Sequence, residues 1–202
     1  MRATEALKAL QDIGRPVIET GEALARLDVS STYASKLLRN LDEAGLVRRI
    51  RNGLWLLDLN ADPLSIPPYL TAPFPAYVSL WSALSRHGMI EQIPGQVFVV
   101  SLDRPQTVQT PLATYSIHHI APEVFGSFGG SDETGFIATP EKALFDTVYL
   151  QAARRRRVYV PELELPAPFD AGVIDEWTQR IHAPWLRSKV LNGLEQLLDS
   201  AS

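Results

Sequence analysis

SSTYASKLLRNLDEAGLVRRIRNGLWLL, residues 30–57, decides how the amino-terminal part of this chain folds. Ser30 or Ser31 can cap a helix running to about Ala44, because either hydroxyl can accept from an amide of the first turn, and Gly45 then ends it. Ala34, Leu37, Leu38 and Leu41 make one apolar stripe of that helix. The stripe leaves Ser31, Thr32, Tyr33, Ser35, Lys36, Arg39 and Asn40 on the outer faces. Hydroxyls and amides of this set suit phosphates or base edges; Arg39 can pair bidentately with a guanine, and Lys36 is placed as a phosphate clamp. Spacing alone leaves open which of them reads sequence.

Leu46 and Val47 then begin a strand that Arg48, Arg49, Ile50 and Arg51 continue. Asn52-Gly53 marks a tight hairpin, and residues 54–57 return. Arg48, Arg49 and Arg51, with Asn52 at the turn, put positive charge on a projecting tip that can reach phosphates beside the groove the helix would enter. Upstream, residues 4–13 carry apolar side chains at helical spacing, and Thr20 is a good cap for a second short helix through Leu27. Helix, helix, helix and hairpin in that order predict a winged helix-turn-helix over residues 1–57, gripping duplex DNA. The competing reading is a solvated amphipathic helix with a hairpin used for dimerisation or for another protein. Against it stands the clustering of Lys36, Arg39, Arg48, Arg49 and Arg51 opposite only Asp42 and Glu43.

Net charge looks wrong for a nucleic-acid binder at -4 until it is divided by region. Residues 1–57 hold nine Lys/Arg against seven Asp/Glu, whereas residues 58–202 hold ten against sixteen, so the acidity belongs to the second part. With 46% hydrophobic residues the 202-residue chain can bury a core, and its length suggests two compact units. The absence of cysteine excludes disulfides and thiolate metal sites and makes the cytoplasm the default compartment. Arg2, Glu5 and Lys8 interrupt the first apolar residues, so neither a signal peptide nor a membrane span is expected.

Five prolines in residues 58–75 (Pro63, Pro67, Pro68, Pro73, Pro75) read as a semi-rigid linker. Beyond it, a second unit over residues 76–202 is expected to be α+β: a helix over residues 77–87, strands over 96–102, 114–120 and 135–138, a helix opening at Thr139-Pro140, and two more helices near 172–182 and 184–198. A small sheet with flanking helices is the predicted fold.

Four stretches of this second unit resemble the AbiEi-type antitoxins. They are Tyr77-Val78-Ser79-Leu80-Trp81-Ser82-Ala83-Leu84 with His87-Gly88, the strand Val97-Phe98-Val99-Val100-Ser101, Tyr115-Ser116-Ile117 leading to Phe125-Gly126, and Ile137-Ala138-Thr139-Pro140-Glu141-Lys142-Ala143-Leu144-Phe145-Asp146. The last is the most specific, and the likeness weakens after about residue 153. The resemblance implies an antitoxin of a bacterial toxin–antitoxin operon, with a role in phage defence. Its winged helix represses its own promoter at operator repeats, as a dimer or in multiple copies, and its second unit counteracts a nucleotidyltransferase-like toxin. The alternative is a stand-alone transcription factor whose second unit senses a ligand, with Trp81, Phe98 and Tyr115 as pocket-lining candidates.

Catalytic chemistry has little to stand on. Glu141, Lys142 and Asp146 share one predicted helix, but Glu141 suits a helix start and Asp146 lies at an imperfect spacing from it. His118 and His119 point to opposite faces of a strand and cannot chelate one metal. Gly126, Gly129 and Gly130 match no phosphate loop and read as an ordinary loop. Arg154, Arg155, Arg156 and Arg157 leave three roles open: compensation of a helix end, a contact for acidic protein, or a further nucleic-acid patch. The expectation is a regulator, not an enzyme, with no cofactor and no metal.

Overall fold

The computed structural model describes residues 2–201; Met1 and Ser202, the outer ends of the two expected units, lie outside the described residues. The chain begins with α1 (Ala3–Gln11), β1 (Val17–Glu19), α2 (Thr20–Leu27), α3 (Ser31–Glu43), β2 (Arg48–Arg51) and β3 (Leu54–Leu56). β3 lies between β1 and β2 and runs antiparallel to both, which turns the hairpin into a three-stranded sheet. Of the two serines able to cap α3, Ser30 does so, its hydroxyl accepting from the Tyr33 amide at 3.3 Å. Thr20 does not cap α2, which opens on a reciprocal pair of bonds between Glu19 and Glu22. Instead Thr20 Oγ1 accepts from Trp55 Nε1 at 2.8 Å and lies 3.4 Å from the Gly53 carbonyl, so α2 and the hairpin turn are fastened together. Ala34, Leu37, Leu38 and Leu41 bury against Ala6, Leu10, Ile18, Ala23 and Trp55.

Residues 58–75 do not run as an exposed spacer. They form a 3-10 turn (Pro63–Ser65) and α4 (Pro67–Thr71), each with proline in the first turn, where its missing N–H is not needed. Ile66 and Leu70 are wholly buried, which the count of prolines concealed.

After α4 come β4 (Ala76–Val78), α5 (Leu80–Arg86), β5 (Val97–Ser101), β6 (Gln106–Gln109), β7 (Thr114–His119), β8 (Phe128–Ser131), β9 (Gly135–Ala138), α6 (Pro140–Ala153), α7 (Ala171–Gln179) and α8 (Pro184–Ala201). The six strands form one mixed sheet, ordered β6-β7-β5-β4-β9-β8, so the fold is α+β. The helix expected over residues 77–87 starts only at Leu80, because Tyr77 and Val78 are taken by β4. The expected glycine loop is in part a strand: Gly129 and Gly130 lie in β8. At Gly130 (φ +121°) a Cβ would sit 1.9 Å from the Gly135 carbonyl oxygen, so the glycine permits close pairing with β9. Among the described residues no helix is long and apolar enough to cross a membrane.

Alternation along the strands sorts the side chains into two cores. Tyr77, Phe98 and Val100 face the helices, where they meet residues of α5, α6, α7 and α8. Ala76, Val78, Val97, Val99, Tyr115 and Ile117 face the other way, against Val17, Leu54 and Leu56 of the first sheet and Ile66 and Leu70. The larger sheet is therefore covered by helices on one face and by the three-stranded sheet with α4 on the other.

Leu56 is fully buried in that inter-sheet core. Leu56→Ala is expected to cost about 2–5 kcal/mol in urea unfolding. A loss below about 1 kcal/mol would mean that the two sheets are not packed through this side chain.

Candidate functional site

The outer surface of α3 carries the expected polar set. Ser31, Thr32, Tyr33, Lys36, Arg39 and Asn40 are exposed and Ser35 is half-buried, while the apolar stripe behind them holds the helix in place. Arg39 Nε donates to the Ser35 carbonyl at 3.3 Å, so its stem follows its own helix and its charge stays at the surface.

The three hairpin arginines are not equivalent. Arg48 turns back, its Nη1 donating to the Asp42 carbonyl at 2.9 Å and standing 3.8 Å from the Asp42 carboxylate. It thereby serves a carbonyl at the end of α3, whose last turn holds no basic residue of its own. Arg49 lies over the Trp55 ring, 5.8 Å from its centre, and its Nη2 donates to Asn52 Oδ1 at 3.1 Å. Ladder register shifts between Arg49 and Arg51, the irregularity falling at Ile50, whose side chain packs on the inter-sheet core. Only Gly53 of the Asn52-Gly53 turn takes a positive φ (+80°), so the turn is not the doubly left-handed form. Among the described residues Lys36, Arg39, Arg49 and Arg51 have no carboxylate within ion-pair distance.

In the second half, Glu141, Lys142 and Asp146 do not converge. Glu141 Oε1 accepts from the Asp170 amide at 3.2 Å, whereas Lys142 and Asp146 form a wholly buried ion pair one helical turn apart. Asp146 Oδ2 accepts from Ser79 Oγ at 2.7 Å and from Tyr77 OH at 3.0 Å. Lys142 Nζ stands 4.6 Å and 4.9 Å from the ring centres of Trp177 and Phe145. Burial pushes the Asp146 carboxyl up and the Lys142 ammonium down, each toward its neutral form, while their mutual attraction opposes both. The signal for this pair was the four-residue spacing of opposite charges on a helix, which usually marks a solvated surface pair.

His118 and His119 diverge as their alternation predicts. His119 is exposed, with Nδ1 3.2 Å from the Asp103 carbonyl oxygen. His118 Nδ1 lies 2.7 Å from Arg154 Nη2, and because a guanidinium only donates, Nδ1 is the acceptor. The proton then sits on Nε2, which donates to Ser116 Oγ at 3.0 Å. Burial, reinforced by the Arg154 and Arg156 charges, pushes the His118 imidazole down to about 4. Arg154 directly follows α6, and Arg155, at φ +56°, lies over Trp185 at 5.9 Å. Among the described residues no three His, Asp or Glu side chains gather in a way that could hold a metal ion.

Compared with known proteins, the chain matches no family model and no curated protein.

Two measurements check these assignments. Asp146→Ala, which strands a buried ammonium, is expected to cost about 3–5 kcal/mol, and the K142M/D146L double variant clearly less; a double variant as unstable as the single one would show that the charges themselves are not the burden. His118 is neutral in the folded chain down to about 4 but takes a proton near 6.5 when unfolded. Between those values the unfolded chain binds more protons, so stability is full above the upper value and falls as the pH drops toward the lower one. Urea unfolding at about pH 7.5 and about pH 5 should show a smaller acid loss for His118→Gln than for the parent chain. Equal losses would contradict a half-buried imidazole held neutral.

Proposed function

We propose that this chain is a DNA-binding repressor whose first part is a winged helix-turn-helix, with α3 entering the major groove and the β2–β3 hairpin lying against the neighbouring backbone. One observation carries this reading. Lys36 and Arg39 on the outer surface of α3, and Arg49 and Arg51 on the adjoining hairpin, have no carboxylate within ion-pair distance among the described residues of a chain that is acidic overall. A polyanion supplies the missing partners, and release of its condensed counterions drives association. A major groove about 12 Å wide admits a helix, and the hydroxyls and amides of Ser31, Thr32, Tyr33, Ser35 and Asn40 offer the bonding that backbone and base edges require. Arg48 and Arg49 are held by Asp42, Trp55 and Asn52, which supports a hairpin organised before DNA arrives.

The likeness to AbiEi-type antitoxins supports a longer reading. In it the protein represses its own operon in the cytoplasm at repeated operator sites, and residues 76–202 counteract a nucleotidyltransferase-like toxin.

Binding of the full chain to its own upstream promoter fragment, followed against salt, tests the first part. Lys36→Ala and Arg51→Ala should each weaken binding to every sequence and reduce the salt slope by about one. Arg39→Ala should cost about 1–3 kcal/mol and relax preference at one base position. Salt-insensitive or absent association of the full chain would overturn the DNA reading. Failure of co-expression to restore growth against a neighbouring nucleotidyltransferase-like gene would overturn the antitoxin reading alone.

A further inference from the structure

A cavity of about 150 Å³ opens between α5 and the carboxy-terminal end of α6, on the helix-covered face of the larger sheet. Trp81, Phe98 and His118 supply its flat surfaces, with the Phe98 and His118 rings stacked at an interplanar angle of 20°, and Arg154 and Arg156 supply its charge. Trp81 and Phe98 continue into an adjoining groove of about 440 Å³, and Arg156 is shared with a depression that also holds Arg155, Arg157 and Lys189. We propose that this is a nucleotide-binding site, taking a base against Trp81 and Phe98 and a phosphate on Arg154 and Arg156.

Three features distinguish it from a solvated helix end. Among the described residues none of Arg154, Arg155, Arg156 and Arg157 has a carboxylate within ion-pair distance, and the group opposite Arg154 is a neutral imidazole. No carboxylate therefore pairs with these charges among the described residues, and a phosphate can take a guanidinium fork in two parallel bonds. The arginine turn is also fixed in place. Gln151 accepts from the Tyr159 amide at 2.7 Å and donates to its carbonyl at 3.0 Å, while the Arg156 amide donates to the Gln151 carbonyl at 2.9 Å. Finally, Leu80 in the cavity wall holds a left-handed backbone (φ +52°), which orients the start of α5 and hence Trp81. A bare anion would have no use for the aromatic surfaces, and an apolar ligand would leave the guanidiniums unpaired. A nucleotide uses both, by ring stacking and by charge.

Titration calorimetry on the full chain tests this with adenosine and guanosine monophosphates, adenosine, inorganic phosphate, a short 5′-phosphorylated single strand and a short glutamate-rich peptide. A nucleoside monophosphate should bind at least about tenfold tighter than adenosine or phosphate. Arg156→Ala, at an exposed position, should reduce that affinity about tenfold or more without a change in melting temperature, and Trp81→Leu, at a half-buried position packed on the core, should reduce the affinity similarly. Tighter binding of the phosphorylated strand would identify a strand end as the source of the nucleotide. No saturable binding, equal affinity for phosphate and nucleotide, or indifference to Arg156→Ala would each overturn the proposal, as would preference for an acidic peptide over every nucleotide. The site does not rest on the DNA reading: Arg156→Ala should leave promoter binding by α3 unchanged, so the two can fail separately.

Discussion

Leu54, Trp55 and Leu56 form a strand of three residues with no exposed face, and the arrangement of the chain follows from satisfying both of its sides. Trp55 enters the core of α1, α2 and α3, while Leu54 and Leu56 enter the core formed with the larger sheet. A lone hairpin is marginal in water, so β2 and β3 depend on these two cores for their existence. At about 1.5–3 kcal/mol for each large apolar side chain buried, Val17, Leu54 and Leu56 together outweigh any surface ion pair in this region. The orientation of α3 relative to the second half is consequently set by packing and not by a tether.

Against that rigid frame, the same residue type acquires different duties by position. Arg48 serves a carbonyl of α3, Arg49 leans on Trp55 and Asn52, and Arg154 holds the tautomer of His118. A tally of positive charges treats these side chains as equals. Geometry separates those that brace the fold from those whose charge is left for a ligand.

Local chemistry was legible in the sequence, and tertiary demand was not. The α3 stripe, its serine cap, Gly45 and the Asn52-Gly53 turn are short-range signals, and each of those elements stands where it was read. Tyr77 and Val78 fit a helix and a strand equally well, and the choice is made by pairing with Val100 and Val99. β6 shows only partial burial and β8 is half glycine, so neither carries an apolar alternation strong enough to announce a strand. Five prolines hid α4 because proline at a first turn and proline in a linker look alike in one dimension. Lys142 and Asp146 were visible as charges on one helix, but their enclosure by Tyr77 of β4 and Trp177 of α7, beside Phe145 of their own helix, is made only when those elements pack together. The cavity between α5 and α6 is likewise a product of assembly, drawing on α5, β5, β7, α6 and the turn that follows it.

β5 and β7 are a parallel pair whose side chains alternate between two unlike neighbourhoods. Val99 and Ile117 pack with Leu54, Leu56 and Val17 of the amino-terminal sheet, while Phe98 and His118 floor the cavity on the opposite side. A single layer of backbone, one strand thick, is thus a party wall between them. A change of side-chain volume on either face of this partition therefore acts on backbone that both faces share.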